Sequence, residues 1–397
     1  MLHLLLVACL LQDAPAAPPG DGEVAQAIAQ GAQLLVRMQE TYTETPRARN
    51  RRGAASRPAS APASQPTDGA PREWPYEGVY RVDQVIPSGY RTGGTAIVCM
   101  ALMLAPGFAS DTPRRAAFDR GLRFVLDTLE RDPLLQSGFD GTYDVRGWAH
   151  TYGLEFLLRA MECKVVDGAL ATRCRAMAEQ LVRTLTETEI KKRGGWNYAR
   201  GAGIDVSAPS TFMTAPTIQA LLRAKAAGLA VDPALIERAL DALQRARLED
   251  GAFQYSTSDK KTGQGFEAVP GACARMAACE TTLLRADRGS VERVRGAVQA
   301  FFTHWEWLEK RRQQTGTHVP PYMIAPYYFH YGHTYVAQAI EHLPEAERPA
   351  LRGQLRALYW QTRETDGGWN DRVFPRSEAF GTAFAMLGLM MPELARR

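Results

Sequence analysis

Apolar residues recur at helical spacing through most of the 397-residue chain, and no strand-like alternation is sustained anywhere in it. That property restricts the chain to an all-α fold. Two kinds of helix alternate. In "VDPALIERALDALQRARLEDG", Asp232 can cap the helix and Pro233 suits its first turn, while Ile236, Leu240 and Leu243 form an apolar stripe. Glu237, Arg238, Asp241 and Arg245 fill the opposite face, so this helix has a wet side. By contrast, "TGGTAIVCMALMLA", "TAPTIQALLRAKAAG", "GACARMAACETTLL" and "GTAFAMLGLMM" are apolar nearly all round and must be covered on most sides. Carried along the chain, the pattern gives amphipathic outer helices near 23–40, 112–131, 167–189, 233–248, 290–311 and 345–363. Buried inner helices follow near 92–105, 148–162, 210–227, 271–286, 328–342 and 378–390.

Spacing supports a repeat. Thr95, Thr151, Thr214, Thr334 and Thr382 all fall near inner-helix starts, in steps of 56, 63, 120 and 48 residues, the third of which spans two repeats. The tripeptide His-Thr-Tyr occurs at 150–152 and 333–335, a separation of 183 residues, close to three repeats. In a ring of six outer-inner hairpins these copies lie opposite one another. His150 and His333 are then expected to face each other across the mouth or to stand at equivalent corners of it. A second mark, "QSGF", "RGGW", "DGAF" and "DGGW", follows the outer helices. Its glycines suit the left-handed conformation that ends a helix, and the aromatic beyond can pack back into the seam between repeats.

Alternating helices, Gly-Gly-Trp turns and stretches such as "GGWNYARGAGIDVSAPSTFMTA" resemble the repeats of the squalene-cyclase and protein-prenyltransferase toroid family from about residue 22 onward. The resemblance implies an (α/α)6 barrel with its inner helices around a central cavity, and an apolar ligand, isoprenoid or other lipid, within it. The family's catalytic sets are incomplete here. Where the cyclases carry their Asp-rich acid motif, this chain has "RTGGTA", "STFMTA" and "EAFGTA", with Glu378 the only acid. His333 resembles the prenyltransferase zinc histidine, but "VPGACAR" offers Cys273 without an aspartate ahead of it. No metal and no cofactor are therefore expected, and His330 with His333 lacks a third ligand.

The long connections, such as "KKRGGWNYARGAGIDVSAPS" and "RQQTGTHVPPYMIAPYYFHYG", run from outer to inner helices. In a ring they gather at the end carrying the inner-helix N-termini, whose free N–H groups favour a polar or anionic ligand group. The site is expected at that rim and in the cavity below, with Trp148, His150, Tyr152, Trp196, Tyr198, His330, His333, Tyr335 and Trp369 as ligand-binding candidates. Asp205, Asp371 and Glu378 are the candidate catalytic carboxylates, with Asp140 and Asp144 also in rim loops. A pair of them at about 5–10 Å would suit a glycosidic bond, so a carbohydrate-active lyase or hydrolase is the alternative reading. A non-catalytic protein-binding scaffold is the third.

Residues 1–16, "MLHLLLVACLLQDAPA", contain a short apolar run followed by Ala14-Pro15-Ala16, which fits an export signal, although no basic residue precedes the run. "LVAC" alternatively ends a lipoprotein box at Cys9. Export to the periplasm or beyond is the expectation, with residues 17–397 forming one toroid domain and no transmembrane span. The Pro/Ala/Arg-rich stretch at 45–73 reads as a disordered insertion and carries much of the formal charge of +4, which argues against a nucleic-acid-binding surface. Cys163 and Cys174 are the one plausible disulfide, the other cysteines reading as buried thiols.

Overall fold

The computed structural model describes residues 18–42, 70–78, 85–138, 145–197, 208–257, 260–316, 318–324 and 329–396. Residues 1–16, most of 45–73, Asp140, Asp144, Tyr198 and Asp205 lie outside these. All twelve expected helices form, with ends displaced by at most four residues. The outer set is α1 (Asp21–Met38), α3 (Thr112–Arg131), α5 (Gly168–Thr188), α7 (Pro233–Arg245), α9 (Val291–Arg312) and α11 (Arg348–Gln361). The inner set is α2 (Ser88–Leu104), α4 (Arg146–Glu162), α6 (Thr211–Ala226), α8 (Val269–Arg285), α10 (Phe329–Ile340) and α12 (Glu378–Leu389), followed by the short α13 (Met391–Leu394).

The inner helices pack in chain order, α2 on α4, α4 on α6, α6 on α8, α8 on α10 and α10 on α12. α12 then packs on α2, which closes the ring. The chain is an all-α toroid. Each outer helix from α3 onward lies against the inner helix preceding it, and α1 lies against α12. Connection length explains this: a short inner-to-outer link keeps both partners adjacent, whereas the long link beyond lets the chain step to the next place in the ring.

The seams between layers repeat one arrangement. Trp74, Trp196 and Trp369 each donate the indole N–H to a carbonyl near the end of an outer helix, Leu35, Leu185 and Tyr359, at 2.7–2.8 Å. Their backbone N–H groups donate to Thr95, Thr214 and Thr382 Oγ1 at 2.9–3.1 Å. This accounts for three of the five threonines that recur at inner-helix starts, Thr95, Thr214 and Thr382. Gly195, with φ +83°, permits the approach: a Cβ there would stand 2.7 Å from Thr214 Oγ1.

Cys163 is exposed and Cys174 buried, and neither is in a disulfide. No described helix is long and apolar enough to cross a membrane.

Candidate functional site

Successive helix residues point about 100° apart, so the three side chains of each His-Thr-Tyr copy leave α4 and α10 in different directions. The histidines turn outward. His150 Nε2 lies 2.8 Å from the Leu135 carbonyl, beyond the end of α3. His333 donates from Nδ1 to Phe329 O at 2.8 Å, and its Nε2 accepts the Trp305 indole N–H of α9 at 2.9 Å. They stand at equivalent corners of the ring without facing each other. The threonines bridge inner helices, Thr151 to Thr217 at 2.7 Å and Thr334 to Phe384 O at 2.8 Å. Only the tyrosines reach the axis. Tyr152 and Tyr335 bring their hydroxyls together from opposed helices, yet the Tyr152 hydroxyl, cut off from solvent, has no well-formed hydrogen bond.

Both nitrogens of His333 are occupied, and burial holds its pKa down to about 4, so it is a neutral structural imidazole. His330 is buried beside it, its ring approaching the Asn370 backbone without a well-formed hydrogen bond. Among the described residues no three His, Cys, Asp or Glu side chains are grouped to hold a metal ion. Trp196 and Trp369 are buried in the interlayer seams, so the structure brings neither to the axis.

The described acids are engaged elsewhere. Asp371 is fully buried, accepting the His330 N–H at the start of α10 at 3.0 Å and the Tyr76 hydroxyl at 3.2 Å. Burial pushes its pKa up to about 6 against the opposing pull of that N–H and of Arg372. Glu378, at the start of α12, is raised to about 7 by burial and by a hydrogen bond with Asp366. Carboxyls in direct contact share a proton and leave no room for a sugar ring between them; a glycosidase pair stands about 5–10 Å apart.

At the end bearing the inner-helix N-termini, aromatic rings fill the axis. Trp148 of α4 lies 5.7 Å from Phe380 of α12 and 5.5 Å from Phe212 of α6, and Phe212 lies 4.4 Å from Tyr331 of α10. Tyr76 stacks on Phe380 at 3.8 Å. The rim therefore has a packed centre where the sequence suggested an open cavity, because each of these helices turns a large ring inward at the same level.

Below this plug the helix-spaced series 148, 152, 155, 159 on α4 continues from Trp and Tyr to Glu155 and Arg159. A recess of about 70 Å³ opens there on the axis, toward the inner-helix C-termini. Tyr152, Glu155, Arg159, Gln219, Tyr335 and Gln338 line one side, and Met100, Phe384, Leu387, Met391 and Leu394 the other. Gln219 and Gln338 join α6 to α10 by reciprocal amide bonds of 2.9 and 3.1 Å. Burial would raise the Glu155 pKa, but Arg159 and Arg223 outweigh it and keep the carboxylate ionised. Of these groups the sequence reading had found only the tyrosines. Stepping by three or four residues from Trp148 would have found Glu155 and Arg159 as well.

The sequence matches no protein-family model and no curated protein. In three dimensions the chain is similar to the unsaturated glucuronyl hydrolase of Bacillus sp. GL1, with a TM-score of 0.56 at 13% identity over 94% of this chain and 96% of that one. It is also similar to the apo type II terpene cyclase MstE from Scytonema, with a TM-score of 0.50 at 14% identity over 94% and 99%. A variant of that cyclase in complex with geranylgeranyl dihydroxybenzoate gives 0.50 at 12% identity over 94% and 98%. At such identities the likeness is one of fold: this chain shares the all-α toroid with proteins of two unrelated chemistries.

Proposed function

We propose that this toroid binds a small amphipathic molecule in the axial recess at the inner-helix C-termini. The observation that carries the proposal is the Tyr152 hydroxyl, a buried polar group without a well-formed partner on the wall of an otherwise half-apolar recess. Such a group is costly to leave unpaired and gains when a ligand or water pairs it. Tyr335, from the second His-Thr-Tyr copy, stands opposite and completes the polar wall. The ligand is smaller than an isoprenoid, because about 70 Å³ is roughly half the size of a cavity that holds benzene. Catalysis forms no part of the proposal, since the candidate acids Asp371 and Glu378 are held by hydrogen bonds outside the recess.

Native mass spectrometry of the protein purified from its own compartment tests this reading. A retained small molecule that Tyr152→Phe weakens, with the melting temperature kept, supports it. Recovery of a long isoprenoid, or specific affinity for oligosaccharides, overturns it. Export belongs to the same proposal, and N-terminal sequencing of the mature protein checks for cleavage after residue 16.

A further inference from the structure

The long connection from α9 to α10 encloses a cavity of about 360 Å³ beside the last turn of α9, against about 70 Å³ for the axial recess. Arg311 builds it. This buried side chain donates from Nε to Ile324 O at 2.9 Å and from Nη1 to Gln314 O at 3.1 Å, and it also reaches Gly316 O. Residues 319–324 are thereby held at the helix end, their own turn closed by the Met323 N–H on Val319 O at 3.0 Å. Trp307, Tyr322, Pro320 and Pro321 supply apolar lining, with the two aromatic rings edge to face at 4.9 Å. Lys310 and Arg311 supply charge, and none of the lining residues is acidic. Burial and the nearby Arg372 lower the Arg311 pKa to about 10, which leaves it a cation at neutral pH. Lys310 Nζ lies 4.5 Å from the Trp307 ring centre. Its ion pair with Glu306, at 3.3 Å, joins two side chains that are both more than half exposed, and is worth little. Glu309, on the same stretch of α9, is held by Arg312 at 2.7 and 2.9 Å. An anion in this cavity therefore faces two cations and no acidic side chain of the lining.

We infer that this cavity takes a small aromatic carboxylate, its ring against Trp307 and Tyr322 and its carboxylate beside Lys310. The size suits one or two fused rings, since a cavity of about 150 Å³ already holds benzene and small-molecule sites begin at about 300 Å³. The edge of one ring and the face of another attract through their quadrupoles, so a third ring extends the perpendicular pair already present. Lys310 makes the charged contact, because Arg311 is turned to backbone carbonyls and contributes only its field. The site is independent of the axial recess, whose smaller volume excludes a bicyclic molecule.

Calorimetric titration of the full chain with naphthalene-2-carboxylate, its neutral carboxamide and its saturated decahydro counterpart tests the inference. The carboxylate should bind. The carboxamide should bind about three- to five-fold more weakly, a modest factor because the Lys310 ammonium is partly in water. The saturated acid should bind about three-fold more weakly for lack of a flat ring. Lys310→Met keeps the stem and should bring the carboxylate down to the level of the carboxamide. Gln314→Glu, at an exposed side chain of the lining, should weaken the carboxylate and spare the carboxamide. Trp307→Leu should weaken all three compounds by about ten-fold, and Gln314→Glu carries the test alone if the leucine variant melts early. No binding of naphthalene-2-carboxylate overturns the site, as does binding that both Gln314→Glu and Trp307→Leu leave unchanged. Equal affinity for the carboxamide refutes the charged contact, and equal affinity for the saturated acid refutes the aromatic one.

Discussion

Asp371 and His333 occupy neighbouring parts of the α10 entrance with opposite linkage to pH. The folded Asp371 pKa, about 6, lies above its ordinary value of 3.8, so the folded state holds this proton more tightly than the unfolded chain does. Its contribution is complete below about pH 4 and is lost as pH rises through 6. His333, held near 4 from an ordinary 6.5, is a base whose folded pKa is depressed. Its contribution is present above pH 6.5 and is lost as pH falls toward 4. The two windows overlap and largely cancel. In Asp371→Asn, only the histidine effect remains, so stability relative to the parent should fall by about 2 kcal/mol between pH 6 and pH 4, an order-of-magnitude figure from a shift of about two units whose titration extends past both ends of that range. Urea titrations across that range measure it, and a pH-independent difference would show that Asp371 titrates normally. None of this was legible in the sequence. Asp371 follows a Gly-Gly-Trp turn that reads as a rim loop, and its burial depends on partners remote in sequence, among them Tyr76, 295 positions away, and the start of α10.

At the scale of the helices the sequence was far more informative, because helix ends and buried faces are local properties. Both helix kinds, their order and the recurrent threonines could be read directly. Their partners could not: Thr95, Thr214 and Thr382 accept from a tryptophan N–H in the loop ahead of the helix, whereas Thr151 and Thr334 bond across to a neighbouring inner helix. Thr382→Val preserves shape and removes that acceptor, leaving the buried Trp369 N–H unpaired. Thermal or urea unfolding should show a loss of about 1–3 kcal/mol, mostly recovered by Thr382→Ser. Equal losses in both variants would point to the methyl contact instead. Gly195→Ala should be at least as damaging, since it combines positive φ with a Cβ 2.7 Å from Thr214 Oγ1. The His-Thr-Tyr pair belongs to this scale too. Its period correctly put the two copies on opposed helices, but period alone does not say which of three adjacent side chains turns inward.

Closure makes the toroid a different object from an open array of the same hairpins. In an open array each unit contacts only its neighbours, and unfolding can start at either end. Here α12 returns to α2, and α1 from the start of the chain packs against α12 near its end. The aromatic plug ties these units together a second time, since Trp148 touches rings from α2, α6 and α12 as well as Tyr76. Sequence periodicity could announce a ring but not whether its centre is hollow, because that depends on several inner helices presenting large side chains at one level. Trp148→Ala tests the consequence. It should cost about 3–5 kcal/mol by opening a cavity at the centre of the molecule. Because every inner helix depends on the closed ring, far-UV circular dichroism and tryptophan fluorescence should still report one coincident transition at a lower midpoint. Added indole, which restores the missing ring without the backbone bond, should raise that midpoint in the variant and leave the parent unchanged. Two separated transitions would mean that the halves of the ring fold independently, and a variant indifferent to indole would mean that the surrounding rings had collapsed into the space.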